Sequence, residues 1–274
     1  MKELLQNYYV RQENAFLQNL NSIEAVNNDE NIHQLRLSVK RMRALFTFLR
    51  FLTGEKSGKE QLKTLKLIYK PAGEIRDTQV QLSALTDYEK RLDIRYTLYR
   101  EHLMRKETET FEKLMAAKEK YSQEPLEKLE IELLKSLQDH SEEEIKQKAF
   151  EIFDHKLNRI AKLHKLPTDK NKNLHEIRKI LKEAGYLMNV FPEAMSEQGG
   201  LKINYDRLRE IEKTLGKWHD QVNAEIFLKS FRKKTDLREK GEVMRYKILE
   251  KSIKRDRLLL QNRIELAFKY ELEI

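Results

Sequence analysis

The sequence predicts an all-α protein, and three observations carry that prediction. Only 8 Gly and 4 Pro interrupt 274 residues. Leu, Glu and Lys, all strong helix formers, dominate the composition. Apolar residues recur at helical spacing, and strand-like alternation is scarce.

Breakers and periodicity then mark the elements in order. A first helix covers roughly 1–19, and "NSIEAVNNDEN" reads as a loop. A second runs roughly 31–52 and ends at "TGEKSG". A third, about 59–71, stops near Pro71 and Gly73. A long fourth helix starts near Asp77 and reaches about Ser122. Past Pro125, helices cover about 125–138 and 142–165, and "LPTDKNKN" is a loop. Another helix spans about 173–191, ended by Pro192, and "EAMSEQGG" is a loop. The last helices cover about 203–215 and about 220 to the C-terminus, with an interruption near Gly241.

The charge narrows the function. With 54 Lys+Arg against 45 Asp+Glu, the net charge is +9. That excess suits an anionic partner: nucleic acid, an acidic membrane surface or a polyanion. The absence of cysteine excludes disulfides, thiolate metal sites and cysteine nucleophiles. The N-terminus lacks a signal-peptide core, and no segment approaches the ~20 apolar residues of a membrane span. A soluble, cytoplasmic protein is expected.

Two segments share the pattern H-x-x-R-x-x-x-K: "NIHQLRLSVKRMR" from Asn31 and "NLHEIRKILK" from Asn173. Each is followed by a shorter helix ending at Gly, then a basic residue and Asp: "KPAGEIRD" and "KTLGKWHD". His175 follows His33 by 142 residues, while Gly216 follows Gly73 and Asp220 follows Asp77 by 143 each. The shared offset reads as a tandem duplication, its halves 1–123 and 124–274 meeting near Ser122–Pro125.

A helix turns 100° per residue, so i, i+3, i+7 and i+10 form one stripe. In the first motif these are His33, Arg36, Lys40 and Arg43, with Arg41 to one side. Ile32, Leu35, Val39, Met42, Phe46 and Leu49 form the adjoining apolar stripe. In the second motif His175, Arg178 and Lys182 form the basic stripe, with Lys179 and Tyr186 beside it. Neither stripe contains an acidic residue, whereas ordinary surface helices intersperse Glu with Lys to avoid repulsion. A stripe of about 15 Å, at 1.5 Å rise per residue, suits a chain of phosphates better than a single one. Arg supplies a planar fork of donors, Lys a mobile point charge and protonated His two donors. Arg76, Lys217 and His219 extend the basic set at the two Gly–Asp corners. Asp77 and Asp220 are expected to cap the helices that follow, or to buttress a nearby Arg or His.

Other chemistries fit less well. The motif stripes hold no carboxylate cluster for metal-assisted hydrolysis. "GEKSGKE" resembles a P-loop only loosely: the Gly spacing is wrong, no Ser/Thr follows Lys59, and a helix precedes it. A metal site would pair His33 and His175 with Asp77, Asp220 or His219, but the surrounding cations repel a metal ion. "HEIRK" has Lys179 where a zinc motif needs its second His. His102, His140, His155 and His164 read as ordinary helix residues. Nucleic acid is the strongest alternative, although the basic faces carry few aromatics besides Tyr186 for base stacking. Trp218 reads as core. No basic amphipathic helix exposes Trp or Phe to a membrane. A protein–protein scaffold built on the long helices stays open.

These motifs resemble the CHAD family, the conserved histidine α-helical domain. "HQLRLSVKRMRALFTFL" is similar to the family's H-x-L-R-V-x-x-R-R-x-R helix, with Lys40 where Arg is usual. "AGEIRDTQV" resembles its L-G-x-x-R-D-x-x-V segment, with Ala72 in place of Leu, and "LGKWHDQVN" resembles the second copy. "LHEIRKILKEAGYLMNVF" resembles H-x-x-R-K-x-x-K-x-x-R-Y-x-x-E, with Gly185 for Arg and Asn189 for Glu. The resemblance covers nearly the whole chain. It implies two four-helix bundles related by a pseudo-two-fold axis around a basic central cleft or pore. It also implies non-catalytic binding of inorganic polyphosphate, without a cofactor, and association with polyphosphate granules. The expected contacts are His33, Arg36, Lys40, Arg43, Arg76, His175, Arg178, Lys179 and Lys182, with secondary ones at Arg41, Lys217 and His219. Gly73, Asp77, Gly216 and Asp220 are expected to be structural, at helix corners.

Overall fold

The computed structural model describes residues 1–24, 29–166, 169–191, 205–235 and 240–271. Among them are ten helices and no strand. In chain order they are α1 (Lys2–Ser22), α2 (Asp29–Thr53), α3 (Lys59–Thr64), α4 (Lys66–Leu92) and α5 (Thr97–Glu119). There follow α6 (Glu124–Gln138), α7 (Glu142–Lys165), α8 (Lys170–Met188), α9 (Tyr205–Lys234) and α10 (Lys240–Glu271). The expected stop at Pro192, the loop "EAMSEQGG" and the helix start near 203 lie outside the described residues.

Several boundaries follow from local chemistry. Ser141 and Glu144 form a reciprocal capping box at the start of α7. The Asp169 side chain accepts from the backbone N–H groups of Asn171 and Lys172 at the start of α8. Gly58 precedes α3 at φ +67°, a left-handed conformation that glycine adopts without steric cost.

Two expected boundaries are absent. Pro71 and Gly73 end no helix; both lie inside α4, which runs on to Leu92. An interior proline costs about 3 kcal/mol. Ile68, Ala72 and Ile75, on both sides of it, are fully buried. At about 1.5–3 kcal/mol for each large apolar side chain, burial outweighs the break. Gly216 likewise lies within α9, where Leu215 and Trp218 are buried around it. Asp77 and Asp220 are therefore mid-helix residues and cap nothing. The four supposed corner residues, Gly73, Asp77, Gly216 and Asp220, all lie on continuous helices.

The opposite error occurs after Leu92. The expected single helix from 77 to 122 is divided, because Asp93 takes a left-handed conformation (φ 53°). The buried Glu89 carboxylate stabilises the junction. It accepts from the Tyr96 backbone N–H at 2.9 Å and from Arg100 at 2.6 Å.

The core has three clusters. The largest joins α1, α2, α3 and α6 with the early part of α4, the end of α5 and the start of α7. Here α6 packs on α1, α2 and α3, although it follows residue 123. A second cluster lies among α7, α8, α9 and the end of α10. A third joins the C-terminal part of α4 and the start of α5 to the C-terminal part of α9 and the first half of α10. Between these cores, α2 packs against both α4 and α8, and α9 packs against both α8 and α4. Those four helices carry every basic residue singled out above.

Candidate functional site

The basic stripe borders the apolar stripe on both motif helices, so burying one brings the other to the edge of the core. Ile32, Leu35, Val39 and Met42 are fully buried on α2, as is Ile177 on α8. Lys40 is thereby drawn into a half-buried position, where Arg36 of its own helix and Arg178 and Lys182 of α8 all raise the local potential. Burial first, and then these three cations, pull the Lys40 ammonium down to about 7, against a weaker opposing pull from Asp77. His219 of α9 faces the same space. Burial, followed by Arg178, His175, Lys182 and Lys40, lowers its imidazole to about 4. Residues far apart in sequence thus share one electrostatic environment.

The histidines line both sides of this cluster. The His175 and His219 rings lie 5.0 Å apart. Burial, then Lys179 and Arg178, lowers His175. Burial and Arg76 lower His33, opposed by Glu30. All three are held towards their neutral forms while no anion is present.

The carboxylates are fewer and loosely engaged. Asp77 lies 3.9 Å from Arg36, an ion pair too long for a charge-assisted hydrogen bond. Asp220 is raised by burial, which outweighs the opposing pull of Arg178 and Lys182. Glu212 of α9 lies 3.5 Å from Lys182. Several buried polar atoms have no hydrogen-bond partner among the described residues: the donors Arg43 Nη2, Arg178 Nε and Arg41 Nε, and the ring nitrogen His219 Nδ1. An unpaired buried donor costs about 1–3 kcal/mol, a cost that an anionic acceptor would remove.

The remaining sequence-derived residues are placed less centrally. Arg76 and Lys217, with Asp220, line a cavity of about 590 Å³ between α4, α9 and α10. Arg41 and Lys182, with Gly185 and Tyr186, line a second of about 230 Å³. Arg41 also donates to the Gln12 side chain at 3.3 Å. Lys179 is 57% exposed and bonded to Glu176 at 2.8 Å, so its charge is largely spent within α8. Among the described residues, no group of three His, Asp or Glu is placed to hold a metal ion. No described helix is long and apolar enough to cross a membrane.

Sequence reasoning missed Tyr69. Its ring lies beneath both Arg36 (Cζ to centroid 5.2 Å) and Arg43 (4.2 Å). The signal was the spacing of Tyr69 and Gly73, four residues apart on one face, which a helix break at Pro71 conceals.

The fold is shared with known proteins. None of the curated proteins matches the chain. Among solved structures it is similar to the CHAD domain from the plant Ricinus communis, with TM-score 0.72 and 16% identity. That match covers 98% of this chain and 92% of the other. It is also similar to PptA from Streptomyces chartreusis, with TM-score 0.74 and 15% identity, covering 98% and 99% of the two chains. At such identities these likenesses establish the fold. A family model described as the CHAD domain matches residues 12–229, most of the chain. The chain therefore belongs to the CHAD domain family.

Proposed function

We propose that this protein binds a linear phosphate polyanion, inorganic polyphosphate, in the space between α2, α4, α8 and α9, without chemistry on it. The observation that carries the proposal is the packing of α2 against α8, which brings Arg36 and Lys40 into the electrostatic reach of Arg178 and Lys182 around one half-buried space. Concentrating like charge in a partly desolvated site is unfavourable for the free protein. A ligand with one charge per repeating unit offsets that cost along the whole stripe. In this reading α2 with α4 and α8 with α9 are the two copies of an internal repeat, related by a pseudo-two-fold axis, and α6 is the connection between them. Polyphosphate granules and the cytoplasm are the corresponding locations.

Polyphosphate fits better than nucleic acid for a structural reason. Tyr69 already lies beneath two guanidinium groups, and Tyr186 is half-buried. The cluster therefore offers phosphate contacts but no open stacking surface for bases.

The test is a competition titration. Long-chain polyphosphate, single-stranded RNA, duplex DNA and orthophosphate are titrated against the wild type and an Arg36→Glu/Arg178→Glu variant. Polyphosphate should bind most tightly, and the folded variant should lose that binding. Equal affinity for RNA would defeat the choice of ligand, and phosphate release with a divalent metal would defeat the non-catalytic reading.

A further inference from the structure

We infer that Gly73 and Tyr69 form a seat on α4 that fixes the Arg36 guanidinium for phosphate binding, making Gly73 a positioning residue of the site. Gly73 is buried in the middle of a helix, where glycine is less stable than alanine. It has an ordinary backbone conformation, since only Gly54 and Gly58 have positive φ among the described glycines. Backbone freedom is therefore not what requires glycine there. The requirement is space: a Cβ at Gly73 would overlap Arg36 Nη1 and lie 3.3 Å from Cζ. The guanidinium thus rests directly against the α4 backbone, in the volume that any other residue would fill.

Tyr69 completes the seat one turn earlier on the same face. Its ring carries Arg36 at 5.2 Å and Arg43 at 4.2 Å. Arg36 and Arg43 are seven residues apart on α2, so they share a face as well. Arg36 is thus held by packing and a cation–π contact, with Asp77 at 3.9 Å as a distant counter-charge. Among the described residues it makes no hydrogen bond, so its donors remain available to a ligand. The second copy lacks this device: a Cβ at Gly216 would meet nothing within 4 Å.

This inference rests on the polyphosphate-binding reading, and its test separates the two. Gly73→Ala, Gly216→Ala, Tyr69→Leu and Tyr69→Phe are titrated with long-chain inorganic polyphosphate across a salt series. Gly73→Ala should melt at or above the wild-type temperature, because alanine favours the helix. Its binding should weaken about 3–10-fold, and the slope of log K against log salt should shrink by about 0.7, the loss of one phosphate contact. Gly216→Ala should bind as wild type. Tyr69→Leu should weaken binding, while Tyr69→Phe, which keeps the ring, should retain it. Wild-type affinity and slope in Gly73→Ala, or equal affinities for the two Tyr69 variants, would overturn the seat. A wild type that binds no polyphosphate would instead overturn the ligand. The seat is then read without ligand from the Arg36 Nε–Hε NMR resonance: it stands if Gly73→Ala shifts that resonance and falls if the two spectra coincide.

Discussion

The α2 and α8 arms of the site begin from the same sequence pattern and end in different states. On α2, Arg36 and Arg43 lie over Tyr69, and among the described residues Arg36 has an ion pair with Asp77 alone, at 3.9 Å. On α8, Lys179 is bonded to Glu176, Lys182 faces Glu212, and Gly185 has no side chain where the first copy has Arg43. The first arm holds its cations by packing; the second partly neutralises them with carboxylates. Fixed cations lose little freedom on meeting an anion, whereas paired ones must first exchange partners. The α2 arm is accordingly expected to supply most of the affinity.

Charge reversal breaks the comparison most directly. Arg36→Glu should weaken polyphosphate binding by about 10–100-fold, the range of one or two charge-assisted hydrogen bonds. Lys179→Glu should change it by less than about threefold, because that charge is exposed and already paired. Isothermal titration of the two variants at one salt concentration checks the ranking. A larger loss for Lys179→Glu would invert the roles of the arms.

Lys40 lies between the arms and links affinity to stability. Its folded value of about 7 is well below the ordinary lysine value of 10.5. Between these values the unfolded chain holds more protons than the folded one, so this group's contribution to stability rises with pH. Below pH 7 its charge opposes folding in full. Lys40→Met should therefore raise the melting temperature of the free protein at neutral pH. The gain should shrink as pH approaches 10, while polyphosphate binding weakens about tenfold. Melting curves at pH 7 and 10 decide this, and a destabilised variant at pH 7 would show that the charge is not strained.

The histidines produce a smaller effect of related origin. His219 is lowered to about 4, and His33 and His175 are lowered too. From about pH 6.5 downward the unfolded chain takes up protons first, so the free protein loses stability on acidification. A bound polyanion favours the protonated imidazoles, so binding should tighten about 3–10-fold between pH 7.5 and 5.5. Titration in two buffers of different ionisation enthalpy should reveal proton uptake. His175→Gln/His219→Gln should reduce the pH dependence without abolishing it, because Lys40, with a folded value of about 7, takes up a proton in the same range; an unaltered profile would assign the whole effect to Lys40 or elsewhere.

The two arms also show what was legible in sequence. Helical phase alone separated His33, Arg36, Lys40 and Arg43 from Ile32, Leu35, Val39 and Met42, and those apolar residues are fully buried. The same logic failed at Pro71, Gly73 and Gly216, where local breakers were outweighed by burial of Ile68, Ile75, Leu215 and Trp218. It failed again at Asp93, a non-glycine left-handed residue with no dipeptide signal to announce it. Both kinds of miss arise because a helix end depends on what packs beyond it. The Tyr69–Gly73 seat was hidden by the first kind, since the two residues share a face only if α4 is continuous.

The difference at Gly185 offers the finest test of the comparison. Gly185 lines the smaller cavity beside Arg41 and Lys182, and a Cβ there would meet nothing within 4 Å. The family motif that this helix resembles has Arg at this position, and the first copy carries Arg43. Gly185→Arg therefore introduces a cation into open space without disturbing the core. Glu212, which lines the same cavity, gives the new side chain a counter-charge. Affinity should rise only about two- to fivefold, because part of the added charge is spent on Glu212, and the salt slope should steepen by up to about 0.7. Helix propensity favours the same substitution, since Arg replaces Gly in α8, so the melting temperature should not fall. Tighter binding with an unchanged salt slope would mean that the side chain acts by rigidifying α8 and makes no phosphate contact, leaving the α2 arm as the main electrostatic partner.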